Sequence, residues 1–281
     1  MSLVVGLIVA ASFGSGDFLG GLASRRARTL AVLAIAQLCA LVGAVVVTVV
    51  TGGDPTGKDL ALGALAGTLN VAALGCLYQG LAIGQAGLVA PVAAVLGAVI
   101  PVGWGLATGE RPPAEAIAGV VLAIVAGGLI SLERDGLGGA SRSRAALLLA
   151  VAAGVGFGVS FICYGNTSDG SEFWPVLAGR VGAVAGVAIV VVATRTSLAM
   201  AGTPRWQAVA AGVLDVVATT LLLVAIREGL FATVAPVAAL APAFTVGNAW
   251  WYLRERPSLV QTSGLVLALC GLVLIAVGNS T

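Results

Sequence analysis

The chain has 281 residues, of which 59% are hydrophobic and 9% charged, with a mean hydropathy of +1.08, a net charge of +2 and no histidine. A water-soluble domain keeps about a quarter of its residues charged to cover its outside, so this composition excludes an ordinary soluble protein and points to an integral membrane one. The small net charge argues against a nucleic-acid partner, and the missing histidine excludes Ser-His and Cys-His nucleophile pairs, His-ligated metals and imidazole acid/base chemistry.

A helix needs about 20 apolar residues to cross the hydrocarbon core, and ten such runs follow one another along the chain. The first, 3–23, resembles a signal peptide in length, but MSLVVGLIVAASF has no basic start and its Phe13-Gly14 recurs as Phe157-Gly158, so it is read as a retained helix. Runs 30–51, 60–82, 87–108 and 114–131 complete a first half, residues 1–131. The segment 132–144 contains GLGGASRSR and reads as a linker. Runs 145–166, 173–194, 206–226, 231–253 and 259–278 form the second half, residues 145–281. All are continuously apolar without the alternation of a transmembrane barrel, so the fold class is all-α and membrane-embedded. The four cysteines, Cys39, Cys76, Cys163 and Cys270, lie inside these runs without CxxC spacing and read as small buried hydrophobes; no metal or cofactor is expected.

The halves repeat one another. VAPVAA occurs at Val89–Ala94 and Val234–Ala239, and the triplet ERP at Glu110–Pro112 and Glu255–Pro257, both at an offset of 145. AGTLNVAA (Ala66–Ala73) lies over AGVLDVVA (Ala211–Ala218) in the same register. Two prolines and two ERP triplets in one register are beyond what an Ala/Val/Gly-rich composition produces by chance, so the chain reads as a duplication. Because each copy has five helices, the second starts on the opposite side of the membrane. The expected architecture is ten transmembrane helices as two inverted five-helix repeats, an arrangement suited to alternating access.

VAPVAAVLGAVIPVGWGLATGERP and its copy VAPVAALAPAFTVGNAWWYLRERP resemble the drug/metabolite transporter superfamily, specifically its EamA-type ten-helix members, and the resemblance covers essentially the whole chain. It implies a transporter of a small molecule such as an amino acid, sugar, nucleotide or drug. One departure is visible: the family often has a tryptophan before the first-helix glycine, where this chain has Phe13-Gly14-Ser15-Gly16-Asp17.

A charge at bilayer depth costs at least about 2.5–3.5 kcal/mol and therefore needs a partner or a watery cavity. Asp17, Arg180 and Asp215 are such charges, and on the spans above they form a layer near the midplane. Asp215 falls on Asn70 at the offset of 145; Arg180 falls on Ala36 or Gln37, according to whether the local offset is 144 or 143. The candidate binding or coupling residues are thus Asp17, Gln37, Asn70, Tyr78, Trp104, Arg180, Asp215 and Asn248. The plainer alternative is that Arg180 and Asp215 pair only to fix the packing, with Asp17 satisfied by Ser12, Ser15 or exposed backbone. Pro91 and Pro236 occupy matching sites within helices four and nine and are the candidate hinges, a static kink being the alternative.

Ten arginines fall in loops on one face, Arg25, Arg26 and Arg28 among them, against Lys58, Arg111 and Arg227 on the face of the termini. The positive-inside rule then places both termini outside the cytoplasm, whereas the resemblance implies cytoplasmic termini. The resulting expectation is a multi-pass protein of the cell (inner) membrane that moves a small metabolite, a zwitterion such as an amino acid first, by alternating access, as an exporter. Protons are the candidate coupling ion, since no GxxxxGK[ST] motif offers ATP drive. An embedded enzyme is the alternative from another class, disfavoured because only isolated Asp and Arg are present. A lipid scramblase is the other. The sequence carries no statement of oligomeric state.

Overall fold

A helix dissolved in lipid gains nothing by hiding its large apolar side chains, so the residues it packs with are small ones. The second run illustrates this: Ala36, Gln37, Ala40 and Ala44 are buried, while Val42, Val45, Val46, Val49 and Val50 point outward and are exposed. The structure, a computed structural model, describes residues 2–84, 86–109, 113–132, 139–227, 238, 240–254 and 258–278. Among them the regular secondary structure is helical: α1 (Ser2–Ser24), α2 (Thr29–Thr51), α3 (Gly57–Ile83), α4 (Ala86–Ala107), α5 (Ala114–Leu132), α6 (Gly139–Gly165), α7 (Trp174–Thr194), α8 (Thr203–Arg227), α9 (Ala241–Leu253) and α10 (Leu259–Gly278), with a short 3-10 turn at Asp169–Ser171. Six helices, α1 to α4, α6 and α7, contain stretches long and apolar enough to cross a membrane; α5 and α10 contain the shorter apolar stretches Ile117–Ala126 and Thr262–Val277.

One boundary differs from the sequence reading. The expected linker 132–144 is helical from Gly139 onward, because α6 starts well before its apolar span with Arg142 and Arg144 in its first turns. Of the ninth run, expected over 231–253, residues 231–237 and 239 lie outside the described residues, and the described helix runs from Ala241 with Leu240 as its cap. Pro242, expected inside that helix, stands in its first turn, where a residue without an N–H leaves no hydrogen bond unmade. Pro236, most of the second VAPVAA and both ERP triplets lie outside the described residues. Pro91 and Pro101 do lie within α4, and Pro91 is fully buried.

α1 packs on α8 and α9, and α6 on α3 and α4; α2 lies on α8 and α7 on α3. α2 also meets α7, α4 meets α9, and α5 pairs with α10. Glycine sets the closest of these approaches. Gly63 and Gly67 on α3 lie against the backbone of Pro175 and Gly179 on α7, so that a Cβ at either would collide with main-chain atoms. On the other side of the bundle Gly212 of α8 sits in the same way against Ala36 of α2. Such backbone contact gives dispersion where lipid offers no hydrophobic drive.

Loops are stitched by polar groups where the helices end. Thr56 caps α3 in a capping box with Asp59, and the Asp59 carboxylate also accepts from the Ser168 amide at 2.8 Å and the Ser168 hydroxyl at 2.7 Å. Asp59 also accepts from Thr56, through its amide at 2.9 Å and its hydroxyl at 2.7 Å. With the Asp54 amide donating to the Gly170 carbonyl at 3.0 Å, these bonds close the α2–α3 loop onto the α6–α7 loop. On the opposite face Arg25 donates to the Leu81 carbonyl at 3.1 Å and so satisfies an acceptor of the last turn of α3.

Candidate functional site

Small residues bring the helices together, and this closeness puts the intramembrane charges within reach of one another. Arg180 lies on α7 next to Gly179, Asp215 at the middle of the 25-residue α8, and their side chains form an ion pair with 2.6 Å between Nη2 and Oδ2. Arg180 Nη1 donates to Gln37 Oε1 on α2 at 3.3 Å. Gln37 is 2% exposed, so its carbonyl has found the one strong donor that a buried amide on that helix face needs. One guanidinium thus ties α2, α7 and α8 together.

Asp17 on α1 is half-buried, close enough to Asp215 for the two carboxylates to feel each other's charge. Tyr78 on α3 is within electrostatic reach of Asp17, Asp215 and Arg180, and its ring lies over Gly20 of α1, a position that only a residue without a side chain leaves free. Tyr164 on α6, absent from the sequence expectation, stands with its hydroxyl against Gly179 and within reach of Arg180 and Asp215. A signal for it exists: the chain has three tyrosines, and Tyr164 belongs to one of the apolar runs. Six helices therefore contribute to one cluster of two acids, one base, two phenols and an amide.

The cluster is not sealed. The side chains of Arg180 and Asp215 keep 14% and 31% of their surface accessible, which an ion pair built only to pack would not need. Two acids facing one arginine leave a carboxylate in excess, and a half-accessible group of this kind can exchange its internal partner for a bound one.

The other expected residues are placed differently. Asn248 on α9 donates to the Ser15 hydroxyl at 3.0 Å, and Thr245 donates to the Gly14 carbonyl at 3.0 Å, so this face of α9 is stitched to α1 just before Asp17. Asn70 is half-buried on α3, and among the described residues it makes no side-chain hydrogen bond. Trp104 is 51% exposed on α4 and makes no hydrogen bond with the cluster. No group of three His, Cys, Asp or Glu able to hold a metal occurs among the described residues.

Comparison with known proteins places this arrangement. A solved crystal structure superposes with a TM-score of 0.61 over 97% of this chain and 95% of its own, at 16% identity, which shows a common fold. An uncharacterized protein of Methanocaldococcus jannaschii is 33% identical over 72 residues; the chain spans 53% of that relative's length, and the match takes in 26% of the chain. Residues 144–277 match the EamA-like transporter family, which is a family of transporters and not of enzymes. Over those residues, just under half of the chain, the sequence is similar to EamA-like transporters.

Proposed function

We propose that this protein is a secondary transporter that carries a small zwitterion, an amino acid or a close analogue, across the cell membrane by alternating access, with export as its direction. The observation that carries the reading is the half-accessible cluster at the middle of α8: Arg180 would take the substrate's carboxylate, and Asp17, the acid without a partner among the described residues, its ammonium group. Gln37, Tyr78 and Tyr164 would hold the guanidinium and line the site. Both charges of a zwitterion are then met by opposite ones at bilayer depth, where an unmatched charge is costly.

What supports the inverted repeat is that its symmetry maps packing onto packing. Exchanging each helix for its counterpart five places along turns α1 on α8 into α6 on α3, α1 on α9 into α6 on α4, and α2 on α8 into α7 on α3. Single positions follow: Gly67 against Gly179 becomes Gly212 against Ala36, and Gly14 against Thr245 becomes Gly158 against Ile100. The first of these correspondences carries an offset of 143 for α2 and α7, which pairs Arg180 with Gln37. Two copies facing opposite ways around one site give inward-open and outward-open states of similar energy.

The test is flux into sealed proteoliposomes. Uptake or efflux of one amino acid class, saturable and absent from protein-free vesicles, is the expected result, and lipid flipping without substrate dependence would favour a scramblase instead. Proton coupling through Asp17 and Asp215 predicts that Asp17→Asn and Asp215→Asn alter the pH dependence of that flux; an unchanged profile in both removes protons from the mechanism. Ten Arg in loops and helix ends of one face against three Lys and Arg on the other support a non-cytoplasmic side for both termini. A reporter fused after Thr281 that is active only in the periplasm agrees with this, and one active only in the cytoplasm reverses it.

A further inference from the structure

The two ends of the bundle are built from corresponding loops, yet one is closed and the other open. On the face of the termini the α2–α3 and α6–α7 loops are joined by the Asp59 carboxylate, which receives Thr56 and Ser168. On the arginine-rich face the corresponding α7–α8 and α1–α2 loops line an open, solvent-facing cavity of about 550 Å³. Its lining includes Arg25, Arg26, Arg28, Ala201 and Pro204, and no acidic residue.

The correspondence holds residue by residue in the registers given above, and the inference rests on the inverted repeat in that respect. At the offset of 145, Thr56 falls on Ala201 and Asp59 on Pro204; at the offset of 143, Ser168 falls on Arg25 and Ser171 on Arg28. The closed end has its acceptor, the carboxylate, on α3. The open end has a proline at that place, Arg25 where Ser168 donates to the carboxylate, and Arg28 where Ser171 bonds the Ser168 carbonyl. Arg26 and Arg28 bring charged donors to this end, and the lining holds no carboxylate to receive them.

We infer that this cavity is a binding site for a phosphate-type anion, a phosphomonoester or phosphodiester, which supplies the acceptor that Pro204 lacks and bridges the two loops as Asp59 bridges the other pair. Arg26 and Arg28 are exposed, and among the described residues their guanidinium groups make no hydrogen bond or ion pair. Arg25 is anchored on the Leu81 and Gly84 carbonyls and adds its field. Arginine is the side chain best matched to phosphate oxygens, and basic pockets between helices at the membrane surface suit anionic headgroups. The cavity is lined by residues at the starts of α2 and α8, Arg28 and Pro204 among them, and the positive end of a helix favours a nearby anion. Each of these contributions is modest; they converge on one space.

The experiment is the thermal midpoint of the purified full chain in detergent, with glycerol 3-phosphate, with phosphatidylglycerol, and with phosphatidylcholine as control. A rise of roughly 4 °C at ten times the dissociation constant is expected for an anion that binds the native state. A response to phosphatidylglycerol and not phosphatidylcholine identifies a lipid headgroup, and a response to glycerol 3-phosphate identifies a soluble phosphomonoester. Either supports the site. The rise is lost in Arg26→Gln/Arg28→Gln. It is also lost in Pro204→Asp, which places a carboxylate where Asp59 stands in the other half and at a helix start that favours it. No rise with either anion, or a full rise retained in both variants, overturns the proposal. Amino acid flux is read separately, so failure here leaves the transport reading intact, and failure of flux leaves this site standing.

Discussion

Arg180→Gln lowers substrate flux at least about 100-fold, the equivalent of roughly 2.7 kcal/mol of lost stabilisation. The guanidinium serves three groups at once, Asp215 on α8, Gln37 on α2 and, in the transport reading, the substrate. Removing it strands the Asp215 carboxylate and the Gln37 amide, and breaking a partly buried pair from one side destabilises the bundle by less than the roughly 3–5 kcal/mol of a fully buried one. A loss of flux alone would therefore not separate a binding role from a packing one. The double variant Arg180→Gln/Asp215→Asn does, because it removes both charges and leaves two amides that can bond each other. A packing pair regains its thermal midpoint and its flux in the double variant; a binding pair regains the midpoint and stays inactive. Full flux in the double variant would confine Arg180 and Asp215 to architecture.

Gly67→Leu prevents the bundle from assembling. The position faces the main chain of Gly179, and backbone cannot turn aside as a side chain can, so the extra carbons force α3 and α7 apart. Overpacking of this kind costs about 1–3 kcal/mol even where neighbours can move, and this displacement would also pull Arg180 from Gln37. Loss of the monodisperse species in size-exclusion chromatography is the expected readout. Gly186→Ala on α7, facing α3, is the control: its new methyl would meet only Thr68, at an ordinary 3.6 Å, and the substitution should be neutral or slightly stabilising. An unchanged midpoint in Gly67→Leu would mean that α3 and α7 are not in backbone contact.

The membrane class, the apolar helices, the repeated sequence motifs and the candidate intramembrane charges are readable from composition, length and spacing alone. A hydrocarbon solvent forbids unpaired backbone and penalises every buried charge, so these features stand out residue by residue in a chain of Ala, Val, Leu and Gly. Positions governed by contacts between helices are not readable in this way. The sequence leaves the position facing Arg180 open between two offsets, and it is the packing of α2 against α7 that brings Gln37 to Arg180. Tyr164, absent from the sequence expectation, lies within electrostatic reach of the ion pair, whereas Asn248 is held by Ser15 and Trp104 is half exposed.

Helix ends were readable only in part as well: α6 reaches back over the expected linker, and Pro242 opens a helix that it was expected to interrupt. Sequence by itself determined the membrane class and the helical character of the chain, because both are written in single residues and their spacing. Tertiary structure decided which polar groups meet, and that one end is closed by a carboxylate while the other is lined by arginine. Those outcomes depend on which face each helix turns to its neighbour, and a helix that is apolar all round carries no pattern that says which face that is.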